Sequence, residues 1–315
     1  MSDIAENKIN KNENGIILIK NLTKDYGNKR GVFDVTLTVK KGECVGLVGA
    51  NGAGKTTMLR SIMGFIKPTG GKVEVYGLDS WADAEKVKRY IGYVPGEIAF
   101  PDIGSGAVFI KSQAELLGVA DLTYAKELVR ILQIDLSADL KRMSKGMKQK
   151  TALVEALMNN AEILIMDEPS TGLDPLMRIS FIDVIQSERK KGKTILMSSH
   201  LYGEVEQLCD RVVLIYNGRI EEIVEVEKIV NRSTAEYKIE FTNENDYSRF
   251  KQMGYNIIRD QQDYFQVTVE IAKTETKLLF EVLKGLKLKF LTENSYTLEK
   301  HFKQTLSRYR KEIEI

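Results

Sequence analysis

Residues Gly49 to Thr57 read GANGAGKTT, a Gly-x-x-x-x-Gly-Lys-Thr spacing set between the apolar run ECVGLV and the helix-like TTMLRSIMGF. A turn of this kind is suited to holding phosphate. Glycines at 49, 52 and 54 let the backbone curl until successive N–H groups converge on one anion, and the following helix adds the partial positive charge of its N-terminus. Asn51, Gly52, Ala53 and Gly54 form the cradle. Lys55 then reaches the β- and γ-phosphates of a nucleotide, Thr56 holds Mg2+ through its hydroxyl, and Thr57 touches the α-phosphate.

Two further apolar runs end in chemistry. ILIMDE closes on Asp167 and Glu168, directly before Pro169. Ligands of α/β sheets sit beyond the carboxyl ends of the strands, so Asp167 is expected to complete the Mg2+ shell and Glu168 to polarise the attacking water. Phosphoryl transfer asks a protein mainly to position groups and neutralise charge, and one carboxylate suffices as base. TILMSSH carries His200 at its tip. A strand-end histidine is often a satisfied structural group; beside the other two motifs, a γ-phosphate contact is the favoured reading. A fourth stretch, KRMSKGMKQK at residues 141–150, has five basic residues in ten and runs into the apolar helix TALVEALM. Alone, it reads as a basic patch or a helix start.

The elements that must position these groups follow from periodicity. From Ile16 to about residue 228, short apolar runs alternate with helical segments, the pattern of a mainly parallel sheet covered on both faces. Between about residues 97 and 160 helical periodicity takes over, so an inserted helical subdomain is expected. Residues 1–14 are polar and aperiodic, which reads as a disordered tail. Residues 229–315 change character: EYKIEF, YFQVTV and LKLKF alternate as half-exposed strands around two helix-like segments, a small α+β domain. Its Lys284, Lys287 and Lys289 suit a solvated strand edge, and Tyr247, Phe250, Tyr255, Tyr264 and Phe265 suit a core. A dimer-stabilising or regulatory role is expected for it.

Composition narrows the class. The chain has 315 residues, 43% hydrophobic, with 46 Lys and Arg against 44 Asp and Glu, a net charge of +2. Proteins that grip nucleic-acid backbones concentrate a large positive excess, so no direct nucleic-acid binding is expected. The two cysteines, Cys44 and Cys209, stand far apart in sequence, as do the two histidines, His200 and His301. Neither a disulfide framework nor a His/Cys metal site is expected, and the compartment is read as reducing. No apolar run approaches the ~18 residues of a membrane span, and the first residues lack a signal-peptide core.

Taken together, these motifs resemble the nucleotide-binding subunit of an ABC transporter, over about residues 15–228. GANGAGKTT is similar to Walker A, ILIMDE to Walker B, MSKGM to the signature, TGLD at Thr171–Asp174 to the D-loop, and His200 to the switch histidine. Tyr26, in KDYG, sits where the family stacks an aromatic ring on adenine, though a lone tyrosine before glycine equally suits a turn. The resemblance implies an α/β P-loop NTPase core that hydrolyses ATP with Mg2+. Lys55, Glu168 and His200 are then catalytic, Thr56 and Asp167 hold the metal, and Ser144, Gly146 and Asp174 complete the nucleotide site. The family's cassettes work in pairs, head to tail. One chain here carries every catalytic group, so a homodimer is implied, with a heterodimer left open. The spellings SKGMKQK, GLDP and YTLEKHF are most similar to ABC-2-type exporter ATPases, which pair with a separate transmembrane permease from the cytoplasmic face of the membrane.

Two positions depart from the pattern. Met143, Lys145 and Met147 replace the usual first, third and fifth signature residues, leaving Ser144 and Gly146 to present a hydroxyl and an unhindered N–H at a helix start. Gly96, in IGYVPGE, stands where the family has the Q-loop glutamine, with Glu97 beside it as a substitute. The competing expectations are an importer ATPase, or an ABC ATPase acting on nucleic acid or ribosomes. No long coiled coil separates the Walker motifs and no second cassette follows in the chain, which weighs against the last.

Overall fold

The computed structural model describes residues 15–313; the tail expected over residues 1–14 lies outside the described residues. The chain divides between Glu225 and Val226 into two compact units.

The first unit opens with strands β1 (Gly15–Asp25), β2 (Gly31–Lys40) and β3 (Cys44–Val48), then helix α1 (Lys55–Ile62). Strands β4 (Gly70–Val75) and β5 (Leu78–Asp79), helix α2 (Ala84–Lys88) and strand β6 (Ile91–Val94) follow. Helices α3 (Gly106–Leu117), α4 (Thr123–Ile131) and α5 (Lys145–Met158) come next. The unit closes with β7 (Ile163–Asp167), α6 (Pro175–Lys190), β8 (Thr194–Ser198), α7 (Tyr202–Leu208), β9 (Arg211–Tyr216) and β10 (Arg219–Glu225).

Two sheets result. One has the order β10-β9-β3-β8-β7-β6, parallel throughout except for the antiparallel edge strand β10. Every residue of β3, β7 and β8 is buried, as strands covered on both faces require. The other sheet, β2-β1-β4-β5, is antiparallel. Alternation along the sequence did not separate it from the parallel set. Its strand β2 buries alternate residues and exposes the rest, the mark of a sheet with one wet face. Ile17, Ile19, Val35 and Leu37 of this sheet share one cluster with Val45 and Leu47 of β3 and with Met58, Leu59 and Ile62 of α1. Helix α1 is thereby fixed against both sheets.

The three helices α3 to α5 fill the interval where helical periodicity replaces strands, and α5 packs on α3, α4 and β6. The last of these contacts is close: a Cβ on Gly92 would stand 2.1 Å from the carbonyl oxygen of Ala156 in α5. A second tie joins α4 to the end of α6. Glu188, fully buried, accepts from Tyr124 Oη at 2.6 Å and ion-pairs with Lys191 at 2.5 Å and Lys193 at 2.6 Å. Burial pushes its carboxyl up, but the combined pull of Lys191, Lys193 and Tyr124 holds it below the usual value. Cys44 and Cys209, distant in sequence, meet as buried free thiols with sulfurs 3.6 Å apart.

The second unit holds a short helix α8 (Val226–Val230), then β11 (Thr234–Phe241), α9 (Glu244–Lys251), β12 (Asn256–Gln261), β13 (Gln266–Ala272), α10 (Thr276–Leu283), β14 (Leu288–Asn294) and α11 (Leu298–Ile313). Its antiparallel sheet runs β12-β13-β11-β14, the order of a ferredoxin-like βαββαβ unit. Tyr247 and Phe250 are buried in its core, with Tyr255 and Phe265 packed against them. Tyr264 is not core; it is 63% exposed.

The Gly92 contact yields a test of how tightly the helical segment is seated. Gly92→Ala must drive α5 away from β6, and an unfolding titration is expected to show a loss of about 3 kcal/mol, as overpacking at a backbone contact costs. A stability equal to that of the unmodified chain would refute so close an approach.

Candidate functional site

The phosphate loop joins the end of β3 to α1. Gly49, Gly52 and Gly54 adopt φ of 155°, 80° and 112°, values that β-carbon-bearing residues avoid. Space constrains two of them further: a Cβ at 49 would press on the carbonyl of Ile215, and one at 54 on Val32, whereas Gly52 has nothing within 4 Å. Helix α1 begins at Gly54 with no side-chain cap. Among the described residues its first-turn N–H groups, from Lys55, Thr56 and Thr57, have no side-chain cap, and an anion is what they fit. Asn51 and Gly52 are exposed and Ala53 is buried. The buried Lys55 ammonium donates to the carbonyls of Gly49 at 2.7 Å and Ala50 at 3.3 Å.

The acids sit at the end of β7, next to α1. Asp167 Oδ1 accepts from Ser198 Oγ at 2.6 Å, which fixes the carboxylate, and Oδ2 faces Gly96. Glu168 occupies the left-handed region at φ 50°, a strained setting worth about 1–3 kcal/mol. Its N–H donates to Ser198 Oγ at 2.9 Å and to the Ser198 carbonyl at 3.2 Å. The turn swings its side chain between two partners: Oε2 lies 2.5 Å from His200 Nδ1 and Oε1 lies 3.6 Å from Lys55 Nζ. Three of the expected catalytic groups are thus brought together by adjacent strand ends. A carboxylate held from both sides in this way can receive a proton from water at a fixed place.

The donors suit Mg2+. The Thr56 hydroxyl and the Asp167 carboxylate are hard oxygen ligands, on α1 and β7, which pack together. Among the described residues no three or more His, Cys, Asp and Glu gather into a metal cage. Mg2+ needs none, since it is normally held by one or two protein oxygens together with phosphate and water. The metal, when bound, neutralises phosphate charge; the chain's part is to orient its ligands.

The remaining positions have local roles as well. Ser144 caps α5, its Oγ accepting from the Met147 N–H at 3.2 Å, and Asp174 caps α6 by accepting from the Met177 N–H at 3.0 Å. A Cβ on Gly146 would stand 2.6 Å from the carbonyl oxygen of Gly172 in the same chain, so this glycine is required by packing alone. Met143 is buried, and in the basic decamer Lys141 pairs with Asp102 and Lys150 donates to the Gln133 carbonyl. Tyr26 begins a turn closed by its N–H to the Arg30 carbonyl, and its ring is 53% exposed with Lys24 Nζ 5.5 Å from its centre. Gly96 stands beside the acid cluster, where an added Cβ would be 3.0 Å from Asp167 Oδ2. Glu97 is exposed. Sequence reasoning passed over Ser198, which organises both acids; its signal was a polar residue directly after the apolar run of residues 195–197.

Comparison with known proteins agrees with this geometry. A family model described as ABC transporter matches residues 32–171. The chain is 32% identical over 233 residues to the bacitracin transport ATP-binding protein BcrA of Bacillus licheniformis, covering 73% of this chain and 76% of that one. It is 36% identical over 212 residues to Nod factor export ATP-binding protein I of Rhizobium meliloti, covering 64% and 62% respectively. A solved structure described as the ATP-binding subunit of an ABC transporter superposes with a TM-score of 0.63 at 30% identity, over 69% of this chain and 92% of that one.

Exchanging the acid for its amide separates binding from chemistry. Glu168→Gln preserves shape and removes the proton acceptor, so turnover is expected to fall about 10²–10⁴-fold while nucleotide affinity stays within about threefold. Steady-state hydrolysis and equilibrium binding measure the two; turnover near that of the unmodified chain would remove Glu168 from the role of base.

Proposed function

The chain belongs to the ABC transporter family of ATP-binding proteins, and on that premise we propose that it is the ATP-hydrolysing subunit of an exporter, working through a separate membrane-spanning permease. The observation that carries the reading is the Glu168 carboxylate held between Lys55 and His200 beside the uncapped start of α1. Export is favoured over import by the name of one relative, a Nod factor export protein. Among the described residues no helix is long and apolar enough to cross a membrane, so attachment to the cytoplasmic face of the membrane runs through the permease. The helical segment α3–α5 and the Gly96 loop are the parts that grip it.

Hydrolysis is proposed to occur between two copies. Lys55, Thr56, Asp167, Glu168 and His200 of one chain hold the triphosphate and Mg2+, while Ser144 and Gly146 at the start of α5, with Asp174, close the site from the second. Tyr26 stacks on the base. Such closure moves an open pair to a closed one with about 5.5 kcal/mol of differential binding, within reach of phosphate contacts made from both chains.

Two experiments bear on this. Lys55→Ala and Ser144→Arg, each inactive alone, are expected to recover ATPase activity when mixed, because one site of a mixed pair then carries neither defect. Pairs that form without recovery would refute a shared site. The tagged chain, isolated from its own cells, is expected to bring down an integral membrane protein; ribosomes or nucleic acid in its place would overturn the transporter reading.

A further inference from the structure

One buried carboxylate near the site takes no part in the chemistry just described. Glu204, in the first turn of α7, is 3% exposed. Its Oε2 accepts from Ser170 Oγ at 2.7 Å and from Ser199 Oγ at 3.3 Å, and its Oε1 lies 3.1 Å from Arg178 Nε. Each partner belongs to a different connector. Ser170 lies in the turn that follows Glu168, Ser199 immediately precedes His200, and Arg178 lies on the first turn of α6 after Asp174. Both serines are themselves buried. Ser199 is further held by its N–H to the Leu47 carbonyl on β3, and its Oγ accepts from the Leu201 N–H.

The β7–β8 ladder explains why such a tie is needed. Its last residue pair is Asp167 with Ser198. Glu168 and His200 lie beyond that pair, in separate loops of the same chain, yet their side chains must meet at 2.5 Å. A buried charge costs several kcal/mol unless it is fully paired, and an apolar side chain of similar volume would pack the site at less cost. Here the charge spans the two loops and α6 at once.

We propose that Glu204 is a positioning residue for ATP hydrolysis: through hydrogen bonds from Ser170 and Ser199 and an ion pair with Arg178 it locks the loop that carries Glu168 to the loop that carries His200. The inference rests on the reading of Glu168 as the base. It assigns Glu204 no contact with nucleotide, and therefore separates its effect on rate from any effect on affinity.

Glu204→Gln keeps the volume and one acceptor while losing the charge. Its kcat for ATP is expected to fall about 10–100-fold, the cost of a misplaced catalytic group, with KM and the thermal unfolding midpoint close to those of the unmodified chain. In a His200→Ala background, single-turnover measurements should show the same exchange changing the rate less than about twofold, since contacts within one network do not add. A second readout needs no turnover. The chain has two histidines, so ring 15N spectra resolve His200 against His301 of the other unit, and Glu204→Gln is expected to shift the first alone. Equal rate losses in both backgrounds, an unmoved His200 signal, or a loss of affinity or stability in step with rate would overturn the proposal. A Glu168→Gln variant of undiminished turnover would instead sink the underlying reading of the base.

Discussion

The N-terminus of helix α1 is built without a cap, and the architecture around it serves to hold that unsatisfied end in place. An isolated helix would fill its first turn with a serine or aspartate and gain about 1 kcal/mol. Here Gly54 occupies the position, and the stability forgone is recovered from the helix's other face, where Met58, Leu59 and Ile62 are wholly buried between two sheets. A backbone anion site is possible only where the protein itself leaves donors unmatched and packing is strong enough to tolerate it.

The acids show the complementary arrangement. Asp167 and Glu168 stand at the end of a strand buried along its whole length, which places negative charge at the edge of a low-dielectric core. Each is steadied by groups from the neighbouring strand end: Ser198 for Asp167, His200 for Glu168. Lys55 lies on the opposite side of Glu168 and is itself held by two loop carbonyls. The left-handed backbone at Glu168 is the local strain that turns the second acid away from the strand direction.

What could be read in the sequence was local in origin. The phosphate loop, the strand-terminal acids and His200 are each spelled within ten residues, with a buried strand on one side to fix their setting. The wider layout of parallel core, inserted helices and terminal α+β unit followed from changes in periodicity. What escaped depended on distant partners or on weak patterning. Ser170 and Glu204 are 34 positions apart, and neither is unusual alone. Strand β12, NIIRDQ, is exposed over nearly all its length and offered no alternation to detect. Gly146 was valued for a ligand it would face, but its own chain at Gly172 already forbids a side chain there. The two sheets of the first unit blurred into one because β1 also buries the adjacent residues Ile16 and Ile17, which face opposite ways.

Gly96 limits what its loop can offer the acid cluster. The family's glutamine would link its loop to the metal site by a hydrogen bond, which resists both approach and separation. A glycine has no side chain to make that bond, and the space beside it is already narrow: a Cβ added at position 96 would stand 3.0 Å from Asp167 Oδ2. Any larger residue at position 96 would therefore have to displace the Asp167 carboxylate rather than extend beside it, so the position that lacks the family's side chain is also one that has little room for it.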